Sequence, residues 1–338
     1  MKRIVFLLIT FFCLLPITSC DFIVKNVYVD GIGSGGDGGT DGGGGNNNGQ
    51  INWNAANITI STEAHLRELA TRVNNGTNNF NGRTITLAND IELIGGEWVP
   101  IGNGVNWLSD AIFFGTFNGN GKVISGIFIN QPDKDNQGVF GLSHGIIKNL
   151  GVIVNITGKS FVGGLVGHNN AIPSVSTRTY GKIENCYVLG NVSGTGNFVG
   201  GLAGQNGTGN LHIDAIVNCY VVGSIEGNNY VGGLVGSNTN GLRIFDSYFT
   251  GSVSVVGNNE AVGGLAGYND GTISRCYASG NVVGNKLVGQ IYHGVSTALL
   301  ISENAMKQQS TYIDWDFDNI WKISPDINNG FPHLRVFN

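Results

Sequence analysis

Two short apolar phrases alternate through the second half of the chain. The first reads VGGLVG or VGGLAG, and its copies begin 37, 32 and 31 residues apart, at Val162, Val199, Val231 and Val262. Shorter copies, VFGL at 139–142 and VGQI at 288–291, flank that set. The second phrase begins with an Ile, at Ile147, Ile183, Ile216, Ile244 and Ile273. This alternation predicts a chain built from coils of about 30 residues.

Aligning the copies places like residues in columns. One column holds the five Ile residues that open the second phrase. The others hold Leu150, Cys186, Cys219, Ser247 and Cys276; Ile156, Val192, Ile225, Val253 and Val282; and Leu142, Leu165, Leu202, Leu234, Leu265 and Ile291. Equivalent residues stack in this way on parallel strands about 4.8 Å apart. We therefore predict an all-β fold, a right-handed parallel β-helix (β-solenoid), since about 98% of β-crossover-β connections are right-handed.

A polar column marks a bend in each coil. Its members are Asn149, Asn185, Asn218 and Asp246, each directly before the Leu/Cys/Ser column. Asn and Asp tolerate a left-handed backbone, and their side chains can stack as a hydrogen-bonded ladder. Arg275 occupies this position in the fifth copy, where we expect it to interrupt the ladder.

Before the repeats, residues 61–74 have the pattern of a short helix. Ser61 or Thr62 provides an N-cap, Asn75-Gly76 a stop, and the apolar face consists of Leu66, Leu69, Ala70 and Val73. A β-helix exposes its end coils, so we expect this helix to cap the N-terminal end. The alternating residues 84–93 predict the first strands.

The Gly-Leu-x-Gly phrases at 164–167, 201–204, 233–236 and 264–267 resemble those of the GLUG-motif proteins. The resemblance covers residues 113–334, including FGTFNGNGKVISGI at 114–127 and NGFPHL at 329–334. It implies a bacterial secreted or surface-anchored protein, often adhesin-like, and the motif also occurs in some IgA-specific peptidases. The motif itself is structural, so the resemblance brings no catalytic residues.

The N-terminus has the pattern of a lipoprotein signal peptide. A basic start, Met1-Lys2-Arg3, precedes an apolar run at 4–17, which is too short to span a bilayer. The run ends in Ile-Thr-Ser-Cys, which resembles a bacterial lipobox, so we expect Cys20 to be lipidated and to anchor the protein in a membrane. Residues 31–50 contain 11 glycines in 20 residues and predict a flexible tether.

These patterns divide the chain into five segments and place it in the cell envelope. The segments are a signal peptide (1–19), a lipidated N-terminus with its tether (20–50), a cap with the first coils (51–138), the GLUG-type repeats (139–291) and a C-terminal cap (292–338). We expect a lipid-anchored protein of the bacterial cell envelope, at the outer membrane or cell surface.

Composition excludes some partners. The chain has 55 Gly in 338 residues, 12% charged residues and a formal net charge of −5. So much Gly disfavours a helical bundle, and a chain without a basic patch does not predict nucleic-acid binding. We expect no cofactor.

A tyrosine column is the candidate binding face. Tyr187, Tyr220, Tyr248 and Tyr277 follow the Leu/Cys/Ser column, so they should point out of the coil when the cysteines point in. An exposed stripe of these rings would bind a glycan; alternatively, the rings pack on each other or under a loop.

Cys186, Cys219 and Cys276 are expected to be free thiols in the core, with a Cys186–Cys219 disulfide as the alternative.

Candidate catalytic residues are few. Asp314, Asp316 and Asp318 would share one face if they lay on a strand, where they could hold a cation or act as an acid/base pair. Charges there can equally protect a sheet edge. Asp90, Glu92 and Glu97 in the entry region have less support, and the six histidines show no metal or triad spacing. We therefore expect neither a catalytic nor a metal site.

Three functions remain at this stage. The first is a non-enzymatic, adhesin-like surface lipoprotein that binds a glycan or a host extracellular protein. The second is a polysaccharide-active lyase or hydrolase on a β-helix, which rests on analogy of fold alone. The third is a spacer that binds no ligand.

Overall fold

The structure is a computed structural model that describes residues 51–104, 111–169, 181–207, 214–239, 241–256 and 261–337. The predicted signal peptide, Cys20 and the tether lie outside these residues. Within these ranges, every helix is too short or too polar to cross a bilayer.

The chain forms a parallel β-solenoid with one wide sheet. Its 15 strands are Asn57–Ile60, Thr84–Leu87, Ile91–Glu92, Thr116–Asn130, Ile146–Gly158, Lys182–Glu184, Tyr187–Gly194, Asp214–Val217, Tyr220–Gly227, Arg243–Phe245, Tyr248–Val255, Thr272–Ser274, Tyr277–Val282, Val295–Ser296 and Leu299–Leu300. Each strand pairs in parallel with its equivalent in the next coil, as in the register Tyr187 to Tyr220 to Tyr248 to Tyr277. The prediction of an all-β parallel solenoid is confirmed.

Two narrower parallel sheets complete each coil. One contains Phe140–Ser143, Val166–Asn169, Ala203–Asn206, Val235–Asn238, Ala266–Asn269 and Val288–Ile291; the other contains Val162–Gly163, Asn197–Gly200, Asn229–Gly232 and Val262–Gly263. The VGGLxG phrase runs from the second of these sheets into the first. Its glycines are needed because backbone atoms of the neighbouring coil lie where a side chain would begin.

Inward-facing columns form the core. The Ile column and the Cys column are fully buried, as their alignment predicted. The ends of the predicted Leu column are wrong, because the register pairs Leu142 with His168 and Ile291 with Asn269. The flanking phrases differ in length from VGGLxG, so aligning them by their first letter shifted the pairing.

The first bend column forms the predicted ladder. Asn149, Asn185 and Asn218 adopt φ of 54°, 52° and 53°. Asn218 Nδ2 donates to Asn185 Oδ1, and Asn185 Nδ2 to Asn149 Oδ1, both at 3.1 Å. Arg275 does not interrupt the column as expected: its guanidinium donates to both carboxylate oxygens of Asp246, at 2.6 and 2.8 Å. A carboxylate only accepts hydrogen bonds, so the arginine supplies the donors that Asp246 needs.

A second asparagine ladder lies inside the solenoid and was missed in the sequence. Asn169, Asn206, Asn238 and Asn269 are at most 1% exposed, and each of the first three donates from Nδ2 to Oδ1 of the next at 2.8 Å. They are the final residues of GLVGHN, GLAGQN, GLVGSN and GLAGYN, a column that the alignment could have shown. The shared bonds pair buried amides that would otherwise be costly, except that Asn169 Oδ1, at the start of the ladder, has no partner among the described residues.

The N-terminal end is closed by the predicted helix. The helix spans Glu63–Asn74, its N-cap Thr62 accepts the N–H of His65, and its C-cap is Asn75. Leu66, Leu69, Ala70 and Val73 join the solenoid core. Glu63 also accepts the backbone N–H groups of Ile94 and Gly95, which fixes the helix to the entry region.

The chain after residue 300 leaves the solenoid. It contains one short α-helix, an antiparallel strand pair and several 3₁₀ turns: Glu303–Met306, Trp321–Lys322 with His333–Leu334, and Gln309–Thr311, Asn328–Gly330 and Arg335–Phe337. A further 3₁₀ turn, Val283–Asn285, lies within the last coils. We call residues 301–337 the strap.

A buried histidine predicts acid sensitivity. His144 is 1% exposed, Nε2 has no hydrogen-bond partner among the described residues, and burial lowers its pKa to about 4. The unfolded chain binds this proton near pH 6.5, so stability should be complete above that pH and fall towards pH 4, by about 3 kcal/mol. Urea unfolding between pH 7.5 and 4 would measure the loss.

His144→Gln is the matched control because it cannot be protonated. Its profile should be flatter than that of the wild type over the same range. Profiles of equal slope would show that other groups cause the acid sensitivity.

Candidate functional site

The four predicted tyrosines lie in register on consecutive strands of the wide sheet, and the first three of them stack. The ring centroids of Tyr187 and Tyr220 are 5.1 Å apart with planes 17° apart, and those of Tyr220 and Tyr248 are 5.1 Å apart and 1° apart. The rings point away from the solenoid core and belong to a separate hydrophobic cluster. The predicted outward direction is therefore found.

The rings are nevertheless buried, because the strap covers them. Their exposed fractions are 9%, 4%, 0% and 4% from Tyr187 to Tyr277. The covering residues run back along the column: Tyr312 and Trp315 against Tyr277, Trp321 and Phe331 against Tyr248, and Phe337 against Tyr187. Of the two alternatives left open by the sequence, the structure has the rings packed on each other and under the strap, so the exposed stripe is not found.

Hydrogen bonds hold the strap in place. Tyr248 Oη donates to the Pro332 carbonyl at 2.6 Å, and Asn328 Nδ2 donates to Tyr248 Oη at 2.6 Å. Trp315 Nε1 donates to the Arg275 carbonyl at 2.9 Å. Burial raises the pKa of Tyr248 well above its usual value, so this hydroxyl stays a neutral donor. The tyrosine column thus has a structural part in attaching the strap.

The three aspartates do not form the predicted face. Residues 314–318 lie in turns, and Asp314 has a positive φ of 63°. Asp316 accepts the N–H groups of Asp318 and Asn319 at 3.0 and 2.8 Å, and these bonds with the Asn319 side chain lower its pKa. The segment is not a strand, so the shared face considered for the three carboxylates does not form, and Asp316 closes a turn instead. No group of three acidic, His or Cys side chains that could hold a metal occurs among the described residues.

The three cysteines are free, buried thiols, as predicted. The Cys186 Sγ lies 3.2 Å from the Glu184 carbonyl, and Cys219 and Cys276 make the equivalent contact with the residue two before each. Burial raises the pKa of Cys276 to about 12. These thiols fill the core and are poor nucleophiles.

A second aromatic stack lies at the corner before three of the four VGG phrases, and sequence reasoning missed it. Phe161, Phe198 and Tyr230 adopt φ of 56°, 63° and 54° and stack at centroid distances of 5.1 and 5.0 Å. His168 lies against Phe161 at 5.3 Å, almost parallel to it. We call these four rings the corner stack. All four residues are half-buried, and the Nε2 atom of His168 is fully buried.

A groove of about 470 Å³ opens at the N-terminal end of the corner stack. It is lined by amide, carboxylate and ammonium side chains together with a short apolar segment: Glu97, Trp98, Val99, Pro100, Asn103, Gly104, Gln131, Lys134, Asp135, Asn136 and Gln137. Glu97 accepts from the Asn130 N–H at 2.6 Å and from Gln131 Nε2 at 2.9 Å, which orients its carboxylate. These groups can donate to and accept from hydroxyl groups.

The groove and the corner stack belong to one column. The N–H of Asn136 donates to the Ser160 carbonyl and that of Gln137 to the Phe161 carbonyl, at 2.9 and 3.2 Å. Phe161 in turn donates its N–H to the Asn197 carbonyl, one residue before Phe198. Asn136 also has a left-handed φ of 57°, so it occupies the stack position one coil earlier. In the sequence, the recurring phrases F-V-G-G, F-V-G-G and Y-V-G-G could have revealed this column of rings.

The fold is a parallel β-solenoid, and a known sequence repeat matches several of its coils. The GLUG motif matches residues 162–193, 227–254 and 258–283. The chain is therefore built in part from GLUG repeats.

Two curated proteins are similar to parts of this chain. A protein of Evansella cellulosilytica, provisionally named a Gly-rich membrane protein, is 31% identical over 178 residues, which is 45% of this chain and 20% of the relative. Halomucin of Haloquadratum walsbyi is 39% identical over 134 residues, which is 39% of this chain and 1% of halomucin. The chain thus matches only a small part of each relative's length.

One solved structure has a similar fold. It is a protein of Bacteroides ovatus provisionally described as an immunoglobulin A1 protease, with a TM-score of 0.56 and 19% identity. The likeness covers 82% of this chain and 92% of that one. At this identity it shows the fold alone.

Proposed function

We propose that this protein is a non-enzymatic lipoprotein of the bacterial cell envelope that binds a glycan chain along the corner stack. Cys20 would anchor it at the outer membrane or cell surface, and the Gly-rich tether would hold the solenoid clear of the lipid. The lipobox-like sequence supports this location, as does the name of the Evansella relative, a membrane protein.

The observation that carries the proposal is the groove next to the half-buried corner stack. Amide and carboxylate groups in the groove suit sugar hydroxyls, and ring edges below it offer apolar contact. A face that repeats with each coil suits a polymer of repeating units. The buried tyrosine column offers no such surface, so the proposed binding residues are Phe161, Phe198 and Tyr230.

Two carboxylates considered above are already engaged in hydrogen bonds, which favours a binding role over catalysis. Asp316 is occupied with closing its turn, and Glu97 is held by two donors. The Bacteroides protein's name concerns proteolysis, but its likeness extends to the fold only. A polysaccharide-active enzyme therefore remains the competing function to be tested.

The test uses the full chain with Cys20→Ser, which prevents lipidation, on a panel of polysaccharides, mucins and matrix proteins. Retention on a glycan and release of new sugar ends are followed together. Phe198→Ala should weaken retention at least tenfold, which corresponds to about 1.4 kcal/mol. The matched control is Phe128→Ala, because Phe128 is 46% exposed but lies on the wide sheet.

The outcomes separate the candidate functions. Retention without product, lost in Phe198→Ala and kept in Phe128→Ala, would support the proposal. Release of product would show an enzyme. Retention on a matrix protein alone would favour a protein-binding adhesin. Retention on none of the panel would favour a spacer.

A further inference from the structure

We propose that the C-terminal end of the solenoid is an interface through which two copies of this chain join end to end. The proposal concerns residues 288–301, which form the last coil and lie apart from the corner stack. It rests on the burial, backbone pairing and charge of this coil.

Core positions that are buried in earlier coils are open in the last one. Leu300 pairs with Ala278 and so continues an inward column whose earlier members, Val221, Phe249 and Ala278, are fully buried. Leu300 itself is 36% exposed. Ile291 pairs with Asn269 of the buried ladder, yet it is 54% exposed. These two positions are therefore open to solvent at this end.

The same coil exposes three further large apolar side chains. Tyr292, Val295 and Leu299 are 68%, 56% and 53% exposed. Together with Leu300 and Ile291 they define what we call the open end. The last coil therefore exposes five large apolar side chains, and such a concentration favours an interface.

The backbone of the last coil is also unpaired on its outer side. Val295, Thr297 and Leu299 donate their N–H groups back to the preceding coil. In a parallel sheet the alternate residues direct their N–H and C=O groups to the opposite neighbour, and no described strand lies beyond this one. The edge can therefore accept another strand, as sheet edges do in strand addition.

The absence of charge at the open end favours a second copy as the occupant. Residues 287–302 contain no Asp, Glu, Lys or Arg. Natural sheet edges are commonly protected by such charges. A surface that must meet an identical surface cannot carry net charge without repelling itself, and this segment meets that condition.

The closed N-terminal end determines how two copies can be arranged. Ile60 is fully buried there, as are Leu66 and Leu69 on the inner face of the helix, so the core is covered at that end. Head-to-tail stacking is disfavoured for this reason. A twofold axis brings each open end against its equivalent, sets the edge strands antiparallel, and closes the assembly at a dimer.

Analytical ultracentrifugation of the full Cys20→Ser chain over a concentration series tests the proposal. We expect a monomer–dimer equilibrium whose dissociation constant rises at least tenfold in Val295→Lys and in Leu300→Lys. The first substitution is on an exposed outward side chain, so it tests the interface even if Leu300→Lys disturbs folding. Ile94→Lys is the matched control, since Ile94 is 82% exposed in the entry region.

Hydrogen exchange provides a second readout. Amides of residues 288–301 should gain protection as the wild-type concentration rises, and Val295→Lys should remove that gain. A wild-type chain that stays monomeric at its highest soluble concentration would overturn the proposal. A dimer weakened by Ile94→Lys but by neither end variant would overturn it as well.

Discussion

Gly251→Ala is expected to lower the free energy of unfolding by about 3–5 kcal/mol, which is large for one methyl group. Gly251 stands in mid-strand in a column with Gly190, Gly223 and Gly280. Its φ is +141°, and a Cβ there would overlap the carbonyl oxygen of Gly223 in the preceding coil. Because that oxygen belongs to backbone held by the sheet, the two coils would have to separate. Denaturant unfolding monitored by circular dichroism measures the loss.

Gly284→Ala separates this clash from backbone strain. Gly284 also has a positive φ, +76°, but no atom lies within 4 Å of its added Cβ. Its substitution should cost only about 1 kcal/mol. Equal losses in the two variants would show that φ, and not the approach of the coils, makes Gly251 necessary.

Trp321→Ala is expected to cost about 3–5 kcal/mol and to free the strap from the tyrosine column. Trp321 is fully buried, with its ring 6.2 and 6.1 Å from those of Tyr220 and Tyr248 and 4.4 Å from that of Trp315. Removing it leaves a cavity between the strap and the wide sheet. Hydrogen exchange of residues 301–337, together with denaturant unfolding, would detect both effects.

Two variants control this experiment. Trp321→Phe should lose much less, because the Trp321 Nε1 has no hydrogen-bond partner among the described residues and the ring volume is largely kept. Ile313→Ala should change stability by less than about 0.5 kcal/mol, since Ile313 is 68% exposed on the same strap. If Trp321→Ala behaved like Ile313→Ala, the strap would not be held by its aromatic core.

The sequence allowed the repeated part of the fold to be predicted because each coil buries the same positions. The Ile and Cys columns and the Asn149–Asn185–Asn218 bend are local features that recur with the coil, so alignment reveals them. The N-terminal helix was predicted from local signals too, since Thr62 and Asn75 cap it.

The covering of the tyrosines could not be predicted in the same way. The strap has no repeat, and its contacts join residues distant in the chain, such as Tyr248 with Asn328 and Pro332. Period-2 alternation shows that Tyr187 points away from the core, but it does not show what lies on that side. The Arg275–Asp246 ion pair was misread for a related reason, because a change of residue type can preserve a hydrogen-bonded column.

The two asparagine ladders point in opposite directions along the solenoid. In the bend ladder each Nδ2 donates to the coil before it, whereas in the buried ladder each donates to the coil after it. A coil that carries Asn in both positions therefore brings one donor and one acceptor to each ladder. Tandem duplication of such a coil would lengthen the protein without leaving an amide unsatisfied, so the number of repeats can change by whole coils during evolution.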